Sequence, residues 1–366
     1  MLRIGIDCRL AGAKHAGIGR YISNFVPRAI DLIQNKAHIV LFCSSQEQAQ
    51  EISSSVHAEI TVVLAPIKHY SFAEQTKFLL VLNKQRLDLL HTPHFNVPFF
   101  YRGKSVVTIH DLLWHTQRGL QVTTLNPAVY WLKYFFYTRI VAHAVTMAKR
   151  IFVPSKTIAT ELTTTFPFVK KKVLVTYEGV GDSLLQANIS TRTRKKNTLL
   201  YVGSLYPHKN IDIVLQLLQR RPEIHLEIVT ARTTFVNRVK KQIAAYEVQT
   251  QVKFFLAIND HALAQHYRHA TALIQPSLSE GFGLTGLEAL LQGTTVIASN
   301  IPIFHEIYQD HALFFQPKDI TSLETAWESV AHSNSNVVLP NSFTKQYSWD
   351  ALAKATTDAY FTAIND

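Results

Sequence analysis

At 366 residues, with 47% hydrophobic and 17% charged side chains and only 13 Gly and 13 Pro, the chain is too long for one compact core and fits two domains of ordinary size. That composition excludes a disordered or low-complexity protein. The formal charge of +11 is confined to the first half, because residues 1–180 hold 21 Lys and Arg against 10 Asp and Glu while the remainder holds 16 against 16; this suits an anionic partner such as a phospholipid headgroup, a lipid-linked phosphate or nucleic acid, although general solubility charge would look the same.

The opening MLRIGIDCRL reads as a strand over Leu2–Ile6 rather than a signal peptide, and no run of about 18 uncharged apolar residues follows anywhere, so a cytoplasmic protein is expected. Cys8 and Cys43 form no CxxC pair and read as reduced core thiols. Behind the first strand, AGAKHAGIGRY places Gly17 and Gly19 in an expected tight loop ahead of a helix that carries Tyr21, Ile22 and Phe25. Further short β-branched runs follow at Ile39–Phe42, Thr61–Leu64, Ser105–Ile109 and Ile151–Val153, separated by helical segments, which is the pattern of a parallel sheet covered by helices.

Two of these strand ends carry polar groups. His91 to Pro98 (HTPHFNVP) brings His94 and Asn96 to one, and SVVTIHDLLW brings His110 and Asp111 to another, at the carboxyl end where open α/β sheets keep their ligands. The stretch AVYWLKYFFYTRIVAHAV mixes aromatic rings with Lys133 and Arg139; it suits a membrane interface and equally a helix packed inside the domain. Lys170, Lys171 and Lys172 read as a solvated turn. We expect a first domain over 1–188 and a linker at the polar run 189–197.

The second half repeats the scheme, with strands expected at Thr198–Val202, His225–Val229, Val252–Phe255, Ala272–Ile274 and Thr295–Ala298, a domain over 198–345 and an amphipathic helix over 346–366 packing back on the first domain. After the first of these strands, GSLYPHKN leads through Gly203 and Ser204 to Lys209 and Asn210 at a helix start. A cation there opposes the helix dipole, whereas a bound diphosphate would be attracted by the lysine and the amides together.

The most informative segment is PSLSEGFGLTGLEALLQGTTVIAS, from Pro276 to Ser299: strand end, glycine turn, helix, strand. Gly281 and Gly283 allow close backbone approach, and the helix beginning near Leu284 leaves its first amides pointed at that space, a corner suited to phosphate or sugar oxygens. Glu280 sits in the turn. Glu288 lies one turn into the helix on the flank of an apolar stripe of Leu284, Leu287 and Leu291, with neither Leu284 nor Gln292 able to pair with it, so the hydroxyls of a ribose would satisfy it.

Glu280 and Glu288 within EGFGLTGLEAL resemble the signature of the retaining glycosyltransferase family 4. The resemblance implies the GT-B fold, an α/β architecture of two Rossmann-like domains around a deep cleft with a C-terminal helix crossing back to the first. It further implies that Glu280 meets the donor sugar's hydroxyls, that the Phe282, Gly283 and Leu284 amides meet sugar or phosphate, and that Glu288 meets the ribose. GSLYPHKN resembles the family's phosphate segment, with Ser204 where many members carry Arg, which leaves Lys209 as the main cation. The GIGRY loop is similar to the family's opening loop toward the donor phosphates, with Ala16 in place of a threonine, and His110 aligns with a catalytic-site histidine that hydrogen-bonds the donor sugar.

The activity so implied is metal-independent transfer of a hexose from a nucleotide-sugar, mannose from GDP-mannose being preferred, to a glycan or lipid-linked acceptor, with no separate cofactor; the basic first half suits peripheral contact with an anionic membrane. A GT-B enzyme acting on a glucan or sugar-phosphate acceptor is the alternative, and the non-enzyme alternative, which follows from the basic first half, is a membrane-surface or nucleic-acid binding protein. His91 and His94, or His261, His266 and His269, lack the nearby Cys or carboxylates that would complete a metal site. A nicotinamide enzyme would need the third glycine of GxGxxG, a nucleotide hydrolase would need GxxxxGK[ST], and no DNA or RNA module is visible, so no nucleic-acid partner is expected.

Overall fold

The computed structural model describes residues 1–366 apart from 13–14, 55, 117–118, 120–122, 124–125, 187–193, 332–336 and 338, and apart from the side chains of 16, 114, 116 and 331. The chain forms two α/β units, Met1–Gly179 with Ser348–Asp366, and Val180–Tyr347. The polar run 189–197 thus falls within the span of the second unit. Its residues 189–193 lie outside the described ones, while Lys195 is tied to that unit through an amide donating to the His269 carbonyl at 2.7 Å and an ammonium 2.5 Å from Glu227.

In the first unit, strands β1 (Leu2–Asp7), β2 (Ala37–Cys43), β3 (Ile60–Leu64), β4 (Leu89–Thr92), β5 (Ser105–Thr108), β6 (Arg150–Val153) and β7 (Val173–Val175) form a parallel sheet ordered β3-β2-β1-β4-β5-β6-β7. Alternate side chains of each strand enter opposite layers: Ile39, Leu41 and Cys43 of β2 join one core, Val40 and Phe42 the other. Burial on both faces explains why these runs are apolar throughout rather than alternating. Helices Ala16–Ile33 and Trp349–Asn365 cover the first face. Pro127–Met147 and Lys156–Thr165 cover the second.

The last helix starts at Ser348, whose hydroxyl accepts from the Asp350 and Ala351 amides, and buries Trp349, Leu352, Tyr360 and Ala363. Tyr360 reaches His91, fully buried on β4: its hydroxyl lies 2.5 Å from Nδ1, and the Thr108 hydroxyl 2.9 Å from Nε2. Burial, reinforced by the charge of His110, lowers the His91 pKa to about 3. The unfolded imidazole titrates near its ordinary 6.5, so below that pH the unfolded chain binds the extra proton and stability declines as pH drops toward 3. We expect His91→Phe to lose at least about 1 kcal/mol less than the wild type between pH 7 and 4 in urea unfolding; parallel profiles would contradict this.

The second unit carries β8 (Thr198–Val202), β9 (His225–Thr230), β10 (Val252–Leu256), β11 (Ala272–Gln275), β12 (Thr295–Ser299) and β13 (Ala312–Phe315) in the parallel order β10-β9-β8-β11-β12-β13. Leu199, Leu226 and Ile228 meet Val214, Leu217 and Leu218 of helix Ile211–Arg220 and Trp327 of helix Ile320–Ala331 in one core. In both sheets the first strand neighbours the second on one side and the fourth on the other. That reversal of winding opens a crevice at the carboxyl ends of β1 and β4, and of β8 and β11, where α/β sheets bind ligands.

Candidate active site

The two most distinctive motifs of the second half follow β8 and β11, the strands that flank this reversal. After β8, the Gly203 amide donates to Val229 at 3.0 Å, and the Tyr201 hydroxyl donates to the Ser204 carbonyl at 2.5 Å, which pins the loop. A single 3-10 turn, Pro207–Lys209, leads to Asn210 in the left-handed region (φ 53°), whose side-chain amide donates to the Pro317 carbonyl at 2.8 Å. Helix Ile211–Arg220 begins there, as the sequence predicts.

After β11, the Leu278 amide donates to the His208 carbonyl at 2.8 Å and draws the two loops together. The consequence is an ion pair: Lys209 Nζ lies 2.5 Å from Glu280 Oε1, with side chains 18% and 15% exposed. Ser277 donates to the same oxygen at 2.8 Å. Burial by itself would raise the Glu280 pKa, but the Lys209 ammonium and these hydrogen bonds outweigh it and hold the carboxyl below its usual range. His208 beside them is lowered to about 4 by burial and by the charge of Lys209, so at neutral pH the lysine is the cation of this corner.

Gly283 (φ 94°) turns the chain into helix Leu284–Leu291. The Tyr308 hydroxyl, shared between the Gly283 carbonyl at 2.6 Å and Gln275, occupies the place a side chain at Gly283 or Gly286 would need. At this helix start the Gly286 and Leu287 amides donate to the Gly283 carbonyl at 3.1 and 3.3 Å, while those of Leu284 and Thr285, at its first two positions, have no carbonyl within the helix to pair with. Leu284, at its start, is half-buried; Phe282 is buried and meets the Tyr347 ring edge-on at 5.9 Å.

Glu288 has a protein partner that the helix spacing does not reveal: it is fully buried, and the Tyr267 hydroxyl donates to its Oε2 at 2.7 Å. The helix face turned inward departs from the sequence reading: Gly286–Leu290 is buried, whereas Leu284 and Leu291 are only partly so.

In the first unit, Gly17 and Gly19 stand inside the first turn of helix Ala16–Ile33, not in a loop before it. The sharp turn is made earlier, by Gly12 (φ 93°), and Gly19 is required because a Cβ there would run into the Gly12 carbonyl. Gly17 faces open space. His110 follows β5; its Nε2 donates to the Pro93 carbonyl at 3.0 Å, which leaves Nδ1, 3.5 Å from Glu178, as the nitrogen facing a carboxylate. The Tyr21 ring packs edge-on at 4.8 Å and fixes the imidazole plane.

Elsewhere in the first unit, Arg9 is clamped between two carboxylates, with Nη2 2.7 Å from Asp7 and 2.9 Å from Glu74, all three side chains at most 1% exposed. Glu74 extends the network to Asn96 at 3.0 Å, and His94 faces Asn96 at 3.2 Å. Arg9, Glu74, Glu178, Ser277 and Tyr267 were not singled out from sequence. Ser277 had a signal, lying three residues before Glu280 in PSLSE; the others depend on contacts between distant segments.

Comparison with known proteins agrees with this layout. Residues 184–355 match the family model "Glycosyl transferases group 1" and residues 16–183 match "Glycosyltransferase Family 4". The chain is 24% identical over 291 residues to the O-antigen chain mannosyltransferase RfbU of Salmonella typhimurium, covering 78% of this chain and 77% of that protein. Among solved structures it resembles sucrose-phosphate synthase from Thermosynechococcus elongatus (TM-score 0.71, 18% identity, 99% of each chain) and Anabaena Alr3699/HepE in complex with UDP and glucose (TM-score 0.68, 15% identity, 99% of each chain). At such identities the structural likeness carries the fold, the GT-B arrangement of two Rossmann-like units.

Proposed function

We propose that this chain, which belongs to glycosyltransferase family 4, is a retaining hexosyltransferase whose second unit holds a nucleotide-sugar and whose acceptor is a glycan or a lipid-linked glycan. It is a glycosyltransferase of the GT-B type; the donor, acceptor and stereochemistry are our reading. The observation that carries it is the Lys209–Glu280 pair, 2.5 Å apart at the carboxyl ends of β8 and β11 and next to the start of helix Leu284–Leu291.

The Lys209 cation and the Leu284 and Thr285 amides at the helix start form a site for the departing diphosphate, and Glu280 is the acceptor that sugar hydroxyls require. In the transfer, the bond from the anomeric carbon to the diphosphate oxygen breaks, the acceptor hydroxyl bonds to that carbon from the same face, and its proton goes to the leaving phosphate. Lys209 stabilises the charge developing on that phosphate. On this reading Ser204, Asn210 and Phe282 frame the phosphates, and Gly203 gives them room.

Mannose from GDP-mannose is the preferred donor, since RfbU, a relative that matches 78% of the chain, is named as a mannosyltransferase. A lipid-linked acceptor places the chain at a membrane surface; among the described residues no helix is long and apolar enough to cross one. The test is calorimetric titration with GDP-, UDP-, ADP- and dTDP-sugars in EDTA, followed by an acceptor panel that includes glucans and sugar phosphates. A micromolar dissociation constant for GDP-mannose and α-linked product are expected; no binding of any nucleotide-sugar would overturn the reading.

A further inference from the structure

We propose that the amino-terminal half of helix Pro127–Met147, together with Phe99 and Phe100, is a docking surface for an anionic lipid bilayer. The helix is two-faced in an unusual way. Tyr130, Tyr137, Val141, Ala144 and Val145 turn inward, and the outward side chains are also apolar: Trp131 is 49% exposed, Leu132 60%, Phe135 51% and Phe136 54%. Phe99 and Phe100, 41% and 63% exposed, add apolar surface beside the carboxyl half of the same helix, where the Phe99 ring stacks on His143 at 4.2 Å.

So much contiguous apolar surface on a folded chain marks an interaction site. Its chemistry selects the occupant. Large aromatic rings alternate with cations, Lys133 and Arg139 on the helix and Arg102 near His143, and the Arg139 guanidinium lies 4.8 Å over the Phe135 ring. The 49 residues from 112 to 160 contain six Lys or Arg and no Asp or Glu; Arg150 pairs with Asp366 at 2.6 Å, whereas Lys133 and Arg139 stand exposed among the rings. Another protein surface would be met by mixed charge, whereas aromatics that enter the headgroup layer beside exposed cations match negatively charged phospholipids. Such a surface would bring the first unit to an acceptor embedded in the same bilayer; in that respect the inference rests on the proposed function, while the surface itself is observed independently of it.

The experiment is co-sedimentation of the full chain with vesicles of phosphatidylglycerol and phosphatidylethanolamine, and with vesicles of phosphatidylcholine alone, at about 0.1 M salt. The wild type is expected to partition at least about tenfold more strongly onto the anionic vesicles. The combined variant Trp131→Ser, Phe135→Ser, Phe136→Ser should lose at least about tenfold of that partitioning, and Lys133→Glu with Arg139→Glu should lose the preference for anionic lipid. All five side chains are solvent-facing, and unchanged circular dichroism melts verify folding.

Equal partitioning of the wild type and the aromatic variant overturns the proposal. So does a wild-type dimer in analytical ultracentrifugation that the aromatic variant dissociates, since the patch would then serve a second copy of this chain. Nucleotide-sugar affinity, measured on the same samples, separates the two readings: vesicle binding without donor binding upholds the surface and removes the transferase assignment.

Discussion

Lys209→Ala lowers transferase turnover by about 10²-fold or more and weakens nucleotide-sugar binding by about tenfold, the scale set by losing a charge-assisted contact to a departing diphosphate. The ion pair with Glu280 at 2.5 Å gives this a second signature. Without the ammonium, the strongest influence depressing the Glu280 pKa disappears and burial drives it upward. In the wild type the depressed carboxyl contributes stability above its unfolded pKa near 4.5, and that contribution is lost as pH falls through the folded value.

The variant therefore loses about 1–3 kcal/mol at pH 7 as well, and acidification narrows the gap. Glu280→Gln separates the two effects. It keeps the lysine, so diphosphate affinity is retained or rises, while turnover falls because the amide replaces the acceptor for sugar hydroxyls. Calorimetric titration with the nucleotide diphosphate and with the nucleotide-sugar reads both; equal affinity of the wild type and Lys209→Ala for either ligand would contradict the assignment.

Arg9→Met is the most destabilising single change we expect, at about 3–5 kcal/mol in urea unfolding at pH 7. Arg9 donates from Nε and Nη2 to Asp7, from Nη2 to Glu74 and from Nη1 to the Ile67 carbonyl at 3.1 Å, with Phe78 3.5 Å beneath its guanidinium. Removing it leaves two buried carboxylates facing each other. Lysine is no substitute, since one ammonium cannot span that set of acceptors. Adding Asp7→Asn and Glu74→Gln to Arg9→Met should restore part of the loss, and a single-variant loss below about 1 kcal/mol would sink the argument.

Much of this was legible beforehand, for physical reasons. Strands buried on both faces must be continuous apolar runs, so β8 could be read to the residue and β1 and β2 nearly so. Three-residue β7 had too little sequence to signal itself. The motif positions of Lys209 and Glu280 were readable, but their contact was not: 71 residues separate them, and the pairing of β8 with β11, which no local period encodes, brings them together. Tyr267 reaching Glu288 belongs to the same class.

The glycine turn was misplaced for another reason: Gly12, Gly17 and Gly19 all permit a sharp bend, and only the packed helix start decides which one bends. For Pro127–Met147 an apolar residue on every side gives no period at all, so its inner face emerges only against Phe95, Tyr101 and Ile109 of the core.

The helix Trp349–Asn365 also orders the birth of the protein. Its Trp349 and Tyr360 lie in the core built on Ile4, Phe25 and Leu89, so the segment Met1–Gly179 must wait for residues translated after Val180–Tyr347 before its apolar interior is closed. The later-made middle, Val180–Tyr347, contains its whole core and can consolidate earlier. During synthesis the nascent amino-terminal half carries an open groove beside Ala16–Ile33, and it is the stretch where chaperone protection matters most.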